Sequence, residues 1–207
     1  RNNEWSEPEL LAVNDPNSWD SSPAFNRNGR TLYFASNRPG GMGGVDLYAA
    51  TLDGNGRFSN ARNLGSDINT TGNDMFPYVD DDGRLFFASN GHAGYGGLDL
   101  LVAVRKDGKT NIRNLGSPMN SSEDDFGLIY YSRTKGYFTS NRDGGQGDDD
   151  IYAFVDNSPD RKIVNYLLAG RTLTPDSTTQ ANVVLGAVQV KLMDTEDNVL
   201  AETSSDE

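Results

Sequence analysis

Three stretches of this sequence are copies of one another, which limits the possible folds more than any other feature. Phe34-Ala35-Ser36-Asn37 returns as Phe87-Ala88-Ser89-Asn90 and as Phe138-Thr139-Ser140-Asn141, a spacing of 53 and then 51 residues. A glycine-rich loop follows each copy. An aspartate then leads an apolar run: Val45-Asp46-Leu47-Tyr48, Leu98-Asp99-Leu100 and Asp149-Asp150-Ile151-Tyr152. The flanks repeat too. Arg62-Asn63-Leu64-Gly65-Ser66 matches Arg113-Asn114-Leu115-Gly116-Ser117, and Trp5-Ser6-Glu7-Pro8 lies 53 residues before Phe58-Ser59-Asn60-Ala61. An acidic residue opens each unit (Asp20, Asp74, Asp124) ahead of an extended run. Self-similarity at a period near fifty residues marks an array of one supersecondary unit.

Each unit reads as four short strands, placed in the first copy at about residues 23–26, 31–36, 45–52 and 57–64. Asn28-Gly29 and Asp53-Gly54-Asn55-Gly56 supply the positive φ that tight hairpins need. The inner strands are apolar on both sides: Leu32 and Phe34 point one way, Tyr33 and Ala35 the other. Such a strand belongs in a sheet packed between two others. Four-stranded units of this length, stacked face to face, are β-propeller blades. The expected fold is therefore all-β, a partial ring of blades over residues 1–157. Trp5–Leu11 is expected to be the outer strand of an earlier blade, with two complete blades and the start of another after it. Residues 162–168 could supply a last outer strand.

A polar linker, 158–165, then ends the repeat. Val188, Val190 and Leu192 alternate with Gln189 and Lys191, the pattern of a strand with one buried and one wet face. With neighbours at Leu168–Leu173 and Val199–Thr203, this predicts a small β-sandwich over 166–207, cut short at its end. The chain begins at Arg1 rather than Met, so it reads as a fragment or a processed form. Any targeting signal or lipid anchor is expected outside it.

Composition excludes some functions. The 18 Lys and Arg against 30 Asp and Glu give a net charge of −12. Nucleic acid and anionic membrane surfaces both reward positive charge, so neither is expected as a partner. Cysteine is absent, which rules out disulfides and thiolate metal sites within this sequence. No apolar stretch is long enough to span a membrane as a helix, so direct membrane insertion is not expected.

The residues from Pro23 to Arg38, "PAFNRNGRTLYFASNR", resemble the TolB-type propeller repeat. The continuation Gly-Gly-x-Gly-Gly-x-Asp-Leu-Tyr, with Asn-Leu-Gly steps between blades, is similar to that of OmpA-family envelope proteins of Bacteroidetes. In those proteins a carboxypeptidase-regulatory-like sandwich follows the propeller, and "LAGRTLTPDSTTQANVVLGAVQVKLMD" resembles its start. The copies depart from the pattern at Asn28, at Gly91 where the others carry Arg38 and Arg142, and in the Ser132–Gly136 turn. The resemblance implies a non-enzymatic periplasmic scaffold associated with the outer membrane. Its implied partners are other envelope and secretion-machinery proteins, as in the family member that anchors the type IX secretion system. Peptidoglycan would be held through a domain not in this chain. A second reading stays open: a substrate-binding propeller attached to a peptidase or glycan-processing enzyme.

The glycine-rich loops invite chemical readings. Gly108-Lys109-Thr110 lacks the glycine five residues earlier that a phosphate loop needs. Gly144-Gly145-Gln146-Gly147-Asp148-Asp149-Asp150-Ile151 fits a calcium β-helix repeat, but that pattern works only in tandem nine-residue turns. No metal or cofactor is therefore assigned; Asp148, Asp149 and Asp150 are the residues a calcium ion would use. Asp46, Asp99 and Asp150 read instead as acceptors for N–H groups of the preceding turn, with Ser36, Ser89 and Ser140 in a similar role. Asn69-Thr70-Thr71 and Asn120-Ser121-Ser122 match the glycosylation sequon but are equivalent turns between blades. The single histidine, His92, lies in a glycine-rich loop and reads as a surface residue, and no catalytic residue is assigned.

Overall fold

The computed structural model describes residues 5–158, 172–176, 178–179, 182–193 and 199–205. The chain divides into two compact units, Arg1–Lys162 and Ile163–Glu207. It is all-β, with no helix among the described residues.

The first unit contains two complete blades and a three-stranded third. Blade 1 is an antiparallel meander of β1 (Asp20–Phe25), β2 (Thr31–Ser36), β3 (Asp46–Leu52) and β4 (Phe58–Asn63). Blade 2 repeats it with β5 (Asp74–Val79), β6 (Leu85–Ser89), β7 (Asp99–Lys106) and β8 (Lys109–Asn114). Blade 3 comprises β9 (Asp125–Tyr130), β10 (Lys135–Ser140) and β11 (Asp150–Val155). The first strand of every blade carries a bulge. Gly127 takes positive φ at one of these bulges, and Ser22 and Phe76 take it at the other two.

Stacking follows the alternation. Tyr33, Ala35, Val45 and Leu47 of blade 1 pack against Leu85, Phe87, Leu101 and Ala103 of blade 2. The other face of blade 2, Phe86, Leu100 and Val102, meets Leu128, Tyr130, Phe138, Tyr152 and Phe154 of blade 3. Each inner strand thus feeds two cores, because its period of two sends alternate side chains to opposite neighbours.

Backbone bonds join the blades. Gly44 N–H donates to Gly72 O at 2.9 Å and Asp74 N–H to Val45 O at 2.8 Å, around a parallel bridge between Val45 and Asn73. The next junction repeats this with Gly97 N–H on Glu123 O and Asp125 N–H on Leu98 O.

Several expectations are corrected. Trp5–Leu11 forms no strand, and Trp5 and Leu10 are exposed. No described strand lies alongside to pair with that segment, so its outer-strand sequence alone does not make it a strand. The acidic residue opening the third unit is Asp125, which sits opposite Ser140 as Asp20 and Asp74 sit opposite Ser36 and Ser89. Asp124 lies one position earlier. Residues 162–168 and most of the linker fall outside the described residues.

In the second unit, β12 (Leu173–Pro175) pairs with β13 (Asn182–Val184), and β14 (Gln189–Met193) with β15 (Val199–Ser204), both antiparallel. The buried face expected for β14 is not found: Val190 and Leu192 are exposed. A two-stranded ladder with no described layer over it leaves both faces open.

Candidate functional site

The recurring polar residues converge at one end of each blade. Register places Asp20, Ser36 and Asp46 side by side across three strands, as it does Asp74, Ser89 and Asp99, and Asp125, Ser140 and Asp150. The third-strand aspartate holds the glycine-rich loop. Asp46 accepts from Met42 N–H at 2.5 Å and Gly43 N–H at 3.1 Å. Asp99 accepts from Tyr95 and Gly96 N–H, and Asp150 from Gln146 and Gly147 N–H. The serines accept N–H groups of the chain leaving the second strand: Arg38 on Ser36, Gly91 and His92 on Ser89, Arg142 on Ser140. Asn37, Asn90 and Asn141 each cap the residue before the neighbouring first strand at 2.7–2.8 Å.

In blades 1 and 3 an arginine completes the row. Arg38 donates through Nε to Ser36 Oγ at 3.0 Å and through Nη2 to Asp20 Oδ1 at 2.8 Å and Val13 O at 3.0 Å. Its guanidinium lies over Phe34 and Tyr48 at 5.0 and 4.9 Å. Arg142 repeats the arrangement with Ser140 Oγ, Asp125 Oδ1 at 2.5 Å and Met119 O, over Phe138 and Tyr152. Burial works to raise the Asp20 carboxyl. Hydrogen bonds from Ser36, Arg38 and the Asp15 N–H, with the charge of Arg38, outweigh it and hold the group below the usual carboxylate range.

Between blades, an asparagine side chain imitates a strand. Asn69 accepts from Leu47 N–H at 2.8 Å, donates to Leu47 O at 2.9 Å, and donates to Asn63 Oδ1 at 2.8 Å. Asn63 in turn donates to Asp46. Asn120 clasps Leu100 and Asn114 in the same way. Both sequon asparagines are therefore buried, with their amide nitrogens already bonded twice.

The glycines of the loop after Ser36 do more than turn a hairpin. A Cβ at Gly43 would overlap the carbonyl oxygens of Thr70 and Gly72, and one at Gly96 would overlap the Ser122 backbone. Only hydrogen fits where one blade's loop meets the next blade's entry turn. Gly147, the equivalent in blade 3, has open space around it.

Asp148 and Asp149 lie beside Asp150, whose Oδ2 is engaged with the loop N–H groups. No group of three His, Cys, Asp or Glu placed to hold a metal ion occurs among the described residues. His92 is not a plain surface residue: Nε2 lies 2.8 Å from Ile68 O, and the ring meets Phe87 edge-on at 5.7 Å. The roles of Arg38, Arg142, Asn69 and Asn120 go beyond the expectations from the sequence. The signal was present, because each recurs at the repeat spacing.

A cavity of about 550 Å³ lies between blades 2 and 3, lined by Phe86, Tyr130, Phe138, Tyr152 and Phe154 with Arg113. The far face of blade 3 is open and apolar, with Ile129, Tyr137, Ile151 and Val155 exposed.

The fold and these rows define a protein of the β-propeller blade class. No family model and no curated protein matches the sequence. Among solved structures, the chain is similar to the crystal structure of a puromycin hydrolase S511A mutant complexed with PGG. The likeness is at 12% identity and a TM-score of 0.37, over 80% of this chain and 33% of that one. The chain thus spans about a third of that structure, and a likeness of this size bears on neither activity nor ligand.

Proposed function

We propose that this chain is part of a non-enzymatic scaffold of the bacterial envelope, periplasmic and associated with the outer membrane. Its blades are a protein–protein platform in a type IX secretion assembly, which other parts of the intact protein tie to peptidoglycan. The observation that carries the non-catalytic reading is the use made of the recurring polar residues. Ser36, Ser89, Ser140, Asp46, Asp99 and Asp150 are all bonded to their own loops. Side chains spent on loop architecture are not poised for proton transfer or nucleophilic attack. The envelope assignment rests on the TolB-type and carboxypeptidase-regulatory-like sequence resemblances.

The test is in vivo cross-linking of the tagged intact protein in a bacterium that has this secretion system, followed by identification of partners and sedimentation with cell-wall sacculi. Recovery with outer-membrane secretion proteins and with sacculi is expected. Recovery with neither refutes the scaffold. Turnover of peptide or glycan substrates by the intact protein would replace it with the accessory-enzyme reading.

A further inference from the structure

Blade 2 departs from its neighbours at one point. Where blades 1 and 3 carry Arg38 and Arg142, it has Gly91. The acceptors that an arginine serves elsewhere are reassigned, with one exception. Ser89 Oγ receives Gly91 and His92 N–H, and Ile68 O, the counterpart of Val13 O and Met119 O, is met by His92 Nε2. Asp74 Oδ2 receives the Thr70 N–H at 2.6 Å and the Thr70 hydroxyl at 3.0 Å. Asp74 Oδ1, the counterpart of the oxygens that bind Arg38 and Arg142, has no partner among the described residues, and the residue is 0% exposed. Two positions along the row, Asp99 is also buried and its Oδ1 is likewise without a partner. In blade 1 the equivalent Asp46 is served by Asn63, whereas Asn114 turns its amide to Ala93 O instead.

We propose that blade 2 binds a monovalent inorganic cation of the sodium or potassium class at Asp74 Oδ1, replacing the positive charge that arginine supplies in the other two blades. Charge balance sets the valence. The residue lost is a single positive charge, and a buried carboxylate without a counter-charge is costly. Size excludes a returning guanidinium. The His92 ring occupies the aromatic position at Phe87, and a Cβ on Gly91 would overlap the Thr70 side chain. A divalent metal is the wrong guest, since its two charges exceed the single charge that is missing. Here there is one carboxylate, with the Thr70 hydroxyl on its other oxygen and Ser89 opposite it in register.

The experiment uses the full chain and measures its thermal midpoint in choline chloride replaced stepwise by NaCl or KCl at constant ionic strength. A saturable rise in midpoint is expected for the wild type. It should vanish in Asp74→Asn, which keeps the shape and removes the charge, and persist in Asp20→Asn. Broadening of the sodium-23 resonance by wild-type protein, but not by Asp74→Asn, reports the ion directly and does not depend on stability. Equal midpoints in all three salts, or the same salt response in Asp74→Asn as in wild type, overturns the proposal. In that case a buried water serves Asp74.

Discussion

Replacing Asn69 by alanine tests whether one side chain holds blades 1 and 2 together. Asn69 is 2% exposed and is the partner of both backbone groups of Leu47, itself fully buried. Alanine leaves the Leu47 N–H without that partner, while Leu47 O keeps its bond from Leu64 N–H at 3.0 Å and Asn63 Oδ1 its bond from Gly65 N–H at 2.7 Å. A stranded buried group costs about 1–3 kcal/mol, so the loss is about 1–3 kcal/mol. Against a typical domain stability of about 5–15 kcal/mol, that is a large share. Asn69→Asp should cost more, because it turns a carboxylate toward Leu47 O and Asn63 Oδ1. Asn120→Ala should match Asn69→Ala, since its clasp on Leu100 has the same lengths, 2.8 and 2.9 Å. Urea unfolding followed by tryptophan fluorescence and circular dichroism gives the difference from the midpoint and slope. A loss below about 0.5 kcal/mol, ordinary for a surface change, refutes the clasp.

Other expectations follow from the same geometry. Arg142→Gly recreates the blade 2 situation around buried Asp125 and should cost about 3–5 kcal/mol by urea titration, with part recovered on adding Asp125→Asn. Gly43→Ala and Gly96→Ala should each cost about 1–3 kcal/mol through overlap with the next blade. Gly147→Ala, with open space around it, should stay within about 0.5 kcal/mol, and equal effects at all three would refute the close-approach reading. The Asp20 carboxyl sits below its ordinary 3.8, so its contribution is complete above that pH and fades as pH falls through the lower folded value. Asp20→Asn should therefore flatten the stability loss as pH falls below 3.8, and an unchanged slope would remove Asp20 from the account.

The repeat made the blades legible because each copy carries the same alternation and the same turn residues. Leu32 and Phe34 part from Tyr33 and Ala35 in the sequence as they do in the two cores. The Ser and Asp of each row could be singled out for the same reason. Their partners were harder to see, because Asn69 and Asn120 act on a strand 22 and 20 residues earlier in the chain. Only stacking brings them together.

The spacing of Phe-x-Ser-Asn copies determined that the chain is an array of all-β blades, since a fifty-residue period of alternating strands buries its faces only by stacking. Tertiary structure decided what the loops are for. A glycine-rich loop looks the same whether it cradles a ligand, turns a hairpin or makes room for a neighbour. Gly43 and Gly96 are read as contact residues only once the next blade's carbonyls lie against them. Likewise, Gly91 is a small departure in the sequence, but in the fold it leaves a buried carboxylate without its cation, because charge pairing across a blade depends on distance and not on order along the chain.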